Sequence, residues 1–187
     1  LEGPNGFCGA DSQRVTFYVS REGVRALGAR LGSTLIAATS AASLAYSPDG
    51  RELWVPHADA AAGLTVHVLD ADPASATFAH VLRTLPVTST GHADQVRFDP
   101  LGRSVWLRSA ADQRVARVTT AGALLDTLSL PGETPGSCAV TPDGRYLVVT
   151  TGDRLRVYDA ATRVQVGSSV GHPGAAYEGL LIEGAGR

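Results

Sequence analysis

Ser47-Pro48-Asp49-Gly50-Arg51 recurs along the chain. It returns as Asp99-Pro100-Leu101-Gly102-Arg103, as Thr141-Pro142-Asp143-Gly144-Arg145 and, in weakened form, as Glu183-Gly184-Ala185-Gly186-Arg187. An apolar run precedes each copy: Leu44-Ala45-Tyr46, Val96-Arg97-Phe98, Cys138-Ala139-Val140 and Leu180-Leu181-Ile182. Another follows the first three: Leu53-Trp54-Val55, Val105-Trp106-Leu107 and Leu147-Val148-Val149. Proline fixes φ early in the turn and glycine tolerates a positive φ later, so each copy reads as a hairpin turn between two strands. The repeat defines an architecture and a surface but carries no chemistry of its own.

The repeat extends beyond the turn. A third strand reads Thr65 to Asp70, Arg114 to Thr119 and Arg154 to Asp159, with apolar and polar residues alternating in the last two. A fourth follows at Phe78 to Leu85, Leu124 to Leu130 and Val164 to Ser168. The turn prolines, Pro48, Pro100 and Pro142, stand 52 and 42 residues apart. The longer interval holds extra residues between Ala71 and Thr77 and around Ala60 to Gly63. Four strands repeating every 40–45 residues or so mark propeller blades. A sandwich also stacks short strands, but its strands need no fixed period.

The opening stretch joins this scheme part-way. Val15 to Val19 aligns with the third strand, Ser20 to Gly23 with the turn, Val24 to Leu31 with the outer strand, and Ala37 to Ala42 is a connector. The expected fold is all-β, with propeller blades of four antiparallel strands, about four blade-equivalents within a larger ring. One domain covers 1–187: half a blade over 1–38, blades at 39–90, 91–133 and 134–172, and a first strand only at 173–187.

The Pro-Asp-Gly-Arg turn, and the strand ending in Tyr158-Asp159, resemble the bacterial YVTN-type β-propeller repeat. Gly91-His92 and Gly171-His172 stand before innermost strands as the Gly-His pair does in WD40 repeats, although the Trp-Asp dipeptide is missing. The resemblance implies a propeller. It also implies a choice among secreted or surface-layer binding proteins, lactonase-like enzymes and cofactor-carrying redox domains, which a fold alone does not make.

The 187 residues suffice for a domain with its own core. A net charge of −2 offers no electrostatic case for nucleic acid. No apolar run reaches the length of a membrane span. All 16 basic residues are Arg, a mark of genomic composition, and Met is absent, as expected of a processed product or part of a longer chain. Cys138 lies in an apolar strand, where a free cysteine acts as a small hydrophobe. Cys8 and Cys138 form no Cys-x-x-Cys, so no thiolate metal site is expected.

In a propeller, the connections between second and third strands and between successive blades share one face. The first set places His57, Asp59, Asp112, Asp153 and Asp11 there; the second places His92, Asp94, Glu133 and His172. Such residues near a channel could bind a metal or polarise a lactone. The aspartates also suit a plainer role, since an Asx side chain caps its own turn. His57, in the only Trp-Val-Pro-His sequence, is the strongest single site candidate, against the alternative of a solvated surface residue. Arg97 sits in an innermost strand, either pointing its charge into the channel or pairing with Asp94 or Asp99.

The favoured reading is a non-catalytic binding or scaffold module, bacterial and extracytoplasmic, periplasmic or secreted. It has no cofactor, no metal and no catalytic residue, and presents loops to a protein or small-molecule partner. The alternative is a lactonase-like hydrolase or a redox propeller domain using His57, His92 and His172. Leu1 to Phe7, with two glycines and a proline, is poor material for a closing strand. Another chain, a fragment of the same precursor or a second copy, is expected to complete the ring.

Overall fold

The structure is a computed structural model that describes residues 7–8, 15–20, 23–28, 32–37, 43–59, 63–87 and 93–171. Its regular elements are all strands, arranged in four four-stranded sheets of consecutive neighbours. The first holds β1 (Phe7–Cys8), β2 (Val15–Ser20), β3 (Gly23–Gly28) and β4 (Gly32–Ala37). The second holds β5 (Ala45–Tyr46), β6 (Glu52–Asp59), β7 (Gly63–Asp70) and β8 (Val81–Val87). The third holds β9 (Gln95–Phe98), β10 (Val105–Ser109), β11 (Arg114–Val118) and β12 (Leu124–Ser129). The fourth holds β13 (Pro135–Val140), β14 (Tyr146–Thr151), β15 (Arg154–Asp159) and β16 (Val170–Gly171). No sheet closes on itself; each is an open meander of the kind that forms a propeller blade. The chain divides into two compact units, Leu1–Val96 and Arg97–Arg187.

The repeated turns lie where the sequence puts them, joining β5 to β6, β9 to β10 and β13 to β14. One hydrogen-bond scheme serves all three. The Gly50, Gly102 and Gly144 amides donate to the carbonyls of Ser47, Asp99 and Thr141 at 2.9, 2.8 and 2.8 Å. Each glycine has φ close to +70°, the left-handed region that the turn demands. The side chains solve the remaining problem in two ways. Asp49 Oδ1 accepts from Ser47 Oγ and the Arg51 amide, and Asp143 Oδ1 from Thr141 Oγ1 and the Arg145 amide. In the middle copy the carboxylate has moved to the hydroxyl's position: Asp99 Oδ1 takes the Leu101 amide at 2.9 Å.

Trp54 and Trp106 are 0% and 1% exposed, as equivalent core positions should be. In the Arg97–Arg187 unit, Trp106 belongs to a core that joins Val115, Leu128 and Leu130 to Cys138, Val140, Leu147, Val149 and Tyr158. The alternation of β14 and β15 turns Leu147, Val149 and Tyr158 toward this core.

Three expectations differ from the structure. The opening stretch supplies four strands rather than two, because Phe7 and Cys8 pair with Tyr18 and Phe17, and Gly32–Ala37 adds an edge beyond β3. The fourth strand of the next unit begins at Val81, because Asp70 ties down the preceding turn: its carboxylate accepts the Asp72 amide and Thr77 Oγ1. The run Val164 to Ser168 makes only one bridge, Tyr158 to Gln165. Arg163 and Gly167 take positive φ there, which breaks extension, and pairing resumes at β16. Leu180 to Ile182 lie outside the described residues.

Candidate functional site

Two connections of the Arg97–Arg187 unit meet to form a recess of about 480 Å³. Gly132, Glu133 and Thr134 come from the β12–β13 connection; Thr151, Gly152, Asp153 and Arg154 come from the β14–β15 turn. These are the two kinds of connection expected to share a face. Gln113 fixes the first: its backbone carbonyl accepts the Leu130 amide at 2.8 Å and its Oε1 accepts the Gly132 amide at 2.9 Å. Arg108 extends that support, donating to the carbonyls of Pro135 and Gly136 at 2.7 and 2.6 Å.

The charged side chains of the recess are each paired. Arg156 donates to Glu133 Oε1, and Arg154 lies 3.9 Å from Asp153 in a half-exposed pair. Three polar atoms are left over. Glu133 Oε2, Thr151 Oγ1 and Arg156 Nε are buried and have no hydrogen-bond partner. Thr151 as a whole is 5% exposed. These atoms are enclosed, as Arg108 Nε, Arg114 Nε and Asp126 Oδ1 are elsewhere in the same unit.

The other residues singled out by the sequence scatter. Asp112 caps its own turn, accepting from Ser109 Oγ at 2.8 Å and pairing with Arg114 at 3.2 Å, the plainer of its two roles. Asp94 is half-buried before β9, and Arg97 is half-buried within it. Complete burial pushes the Cys138 thiol pKa up to about 11, against the smaller opposing pull of Arg97 and Arg108. Asp59 ends β6 opposite Gly63. Asp11, His92 and His172 lie outside the described residues. Among the described residues, no three His, Cys, Asp or Glu side chains are grouped to hold a metal.

His57 has a neighbour that sequence alone does not suggest. Its ring stacks on His67 with centroids 5.4 Å apart and planes at 27°. Strand register explains this, since His57 faces Thr65 and His67 faces Val55, which places the two imidazoles diagonally on one face. His67 Nδ1 lies 3.0 Å from Thr84 Oγ1. Burial first, and the His57 charge second, hold the His67 imidazole below its ordinary pKa. Thr151, Arg154 and Arg156 were also missed, since each reads as an ordinary strand or turn residue.

No family model and no curated protein matches this chain. Solved structures do. Hydrazine synthase of Kuenenia stuttgartiensis superposes with a TM-score of 0.69 at 18% identity, over 90% of this chain and 49% of that one. A protein of unknown function from Bacteroides caccae gives 0.66 at 17% identity, over 90% and 60%. The likeness is one of fold. The chain is all-β and propeller-like, and it spans about half the length of the hydrazine synthase chain. In propeller terms the recess lies on the face built by second-to-third-strand turns and inter-blade connections, the face to which the sequence assigned Glu133 and Asp153.

Proposed function

We propose that this chain is a non-catalytic binding module, part of a larger propeller, that holds a partner on the face carrying the recess. The observation behind this reading is the recess itself: its walls belong to two connections, the first held by Gln113 and Arg108, and they carry Glu133, Asp153 and Arg154. Loops on a rigid sheet scaffold are where binding residues concentrate. The volume lies within the range of small-molecule pockets, about 300–1,000 Å³. That another chain completes a larger ring belongs to the same proposal and rests on the sheets being open. A bacterial, extracytoplasmic setting belongs to the same proposal and rests on the resemblance of the repeat.

The test is amide-detected NMR of the full chain against a chemically diverse fragment library. Hits should cluster on residues 132–134 and 151–154. Hits spread over other surfaces, or none at all, would remove the reading. Sedimentation tests ring completion: self-association or capture of a second fragment is expected, and a monomer at every concentration counts against it.

A further inference from the structure

The second sheet carries a pair of imidazoles that the recess does not use. The pair belongs to the Leu1–Val96 unit and the recess to Arg97–Arg187, so the two readings stand or fall separately. Strand register builds it. Val55 faces His67, His67 faces Thr84, and His57 faces Thr65. Opposed residues share a face, and so do residues two apart in one strand, so Val55, His57, Thr65, His67 and Thr84 lie on one side of the sheet. Val55 is fully buried, while both histidines are half-buried and keep contact with solvent. Thr65 Oγ1 donates to the His57 carbonyl at 3.3 Å, which fastens the strand at that residue.

Imidazoles at this spacing suit an ion. Two ring nitrogens bound to one ion at about 2.0–2.1 Å stand about 3 Å from each other, and their rings fan outward from it. Ring centres 5.4 Å apart, with planes at 27°, reach that arrangement by rotation about side-chain bonds, and the histidine ring torsion is soft. The pairing of β6 with β7 need not change. A ligating histidine is usually held by its second ring nitrogen, which fixes the tautomer. His67 already has such a hold, since its Nδ1 lies 3.0 Å from Thr84 Oγ1. With that hydroxyl accepting the Nδ1 proton, Nε2 keeps its lone pair for a metal. Burial, and then the charge of His57, disfavour the protonated ring, so His67 is neutral at pH 7, the form that ligates. Among the divalent ions that imidazole suits, copper binds tightest, and its tetragonal geometry accepts nitrogen and oxygen donors together.

We propose that His57 and His67 form an open two-imidazole site for a divalent late transition metal, copper(II) above nickel and zinc, with water in the remaining positions. Thr84 is a positioning residue that orients His67. The expectation of no metal treated His57 singly; the register of β6 against β7 supplies its companion.

The experiment titrates chelator-stripped full chain with copper(II) chloride against glycine as a competing ligand, then repeats it with nickel and zinc. One copper per chain is expected, held more tightly than either other ion. Pulsed electron paramagnetic resonance of the complex should show two imidazoles. His57→Gln and His67→Gln should each weaken copper by more than about tenfold and leave one imidazole in the spectrum. Thr84→Val, at an exposed position, should weaken copper about tenfold while both imidazoles remain. His80→Gln should bind like the parent, and far-UV circular dichroism checks that each variant keeps its sheets. Copper held equally well by His57→Gln or His67→Gln overturns the site, as does a parent spectrum with fewer than two imidazoles or no stoichiometric binding. Loss of binding in His80→Gln overturns it too. Thr84→Val binding like the parent removes the positioning role and, with it, the argument from the Nδ1 contact. Should a histidine variant lose its fold, the imidazole count of the parent and of Thr84→Val still decides.

Discussion

Replacing Trp106 with Ala removes the largest side chain from the core shared by the third and fourth sheets. The ring is 1% exposed and lies under the Arg117 guanidinium, 5.4 Å from its centroid. Phe or Trp to Ala in a packed interior costs about 3–5 kcal/mol. Arg117 also loses its aromatic partner, about 0.5–1 kcal/mol at a partly exposed site. Trp106→Ala should therefore destabilise the chain by about 4 kcal/mol, a large share of the roughly 5–15 kcal/mol that holds a domain together. Urea unfolding followed by far-UV circular dichroism measures the loss. Fluorescence adds a second view, because the chain has two tryptophans and the variant keeps only Trp54, in the Leu1–Val96 unit. Val149→Ala touches the same core from the fourth sheet. The double variant should depart from additivity by about 0.5–3 kcal/mol. Val164→Ala, at a position 63% exposed, should change stability by less than about 0.5 kcal/mol. A loss below about 1 kcal/mol for Trp106→Ala, or strict additivity with Val149→Ala, would refute the shared core.

In a Cys8→Ser background, Cys138 should resist Ellman's reagent at neutral pH until the chain is unfolded, because its thiol is fully buried and pushed up to about 11; labelling at the same rate with and without urea counts against this. The depressed His67 pKa means the unfolded chain takes up its proton first as pH falls. Its contribution to stability is thus complete above the ordinary value near 6.5 and declines below it, and His67→Gln should flatten the urea midpoint between about pH 7 and pH 5. Gly50→Ala and Gly144→Ala should each cost about 1–2 kcal/mol by thermal unfolding, since both hold φ near +70°. The two costs should be alike, because the nearest atoms to a Cβ at Gly144 stand at an ordinary 3.4 Å.

The sequence carried the turns and the strands beside them, because proline, glycine and an apolar run act locally. It did not carry the opening strand of the first sheet, because Leu1 to Phe7 holds two glycines and a proline, yet Phe7–Cys8 pairs with β2. Nor did it carry the broken outer strand after Arg163, where the backbone reverses at a residue with no special preference for positive φ. The site was legible in part. Connection order alone put Glu133 and Asp153 on one face. Thr151 stood in an unremarkable Val-Val-Thr-Thr strand, and its place on the wall of the recess emerges only from the fold. The His57–His67 stack needed the register of β6 against β7, which no single strand records.

The two side-chain solutions to the repeated turn have a consequence for how such a chain drifts. A carboxylate at either of two places satisfies the amide two residues on, as Asp49 and Asp99 demonstrate within one molecule. The two carboxylates cover different amides, that of Arg51 at the fifth position and that of Leu101 at the third, while the backbone bond from the glycine to the first residue is the same in both. A path therefore exists that exchanges one carboxylate for the other with that backbone bond kept throughout. Substitution along such a path erases the letters while the backbone stays put. A profile that scores letters column by column loses track of this repeat sooner than superposition does, and a chain can keep a propeller's shape at 17–18% identity to other chains that share it.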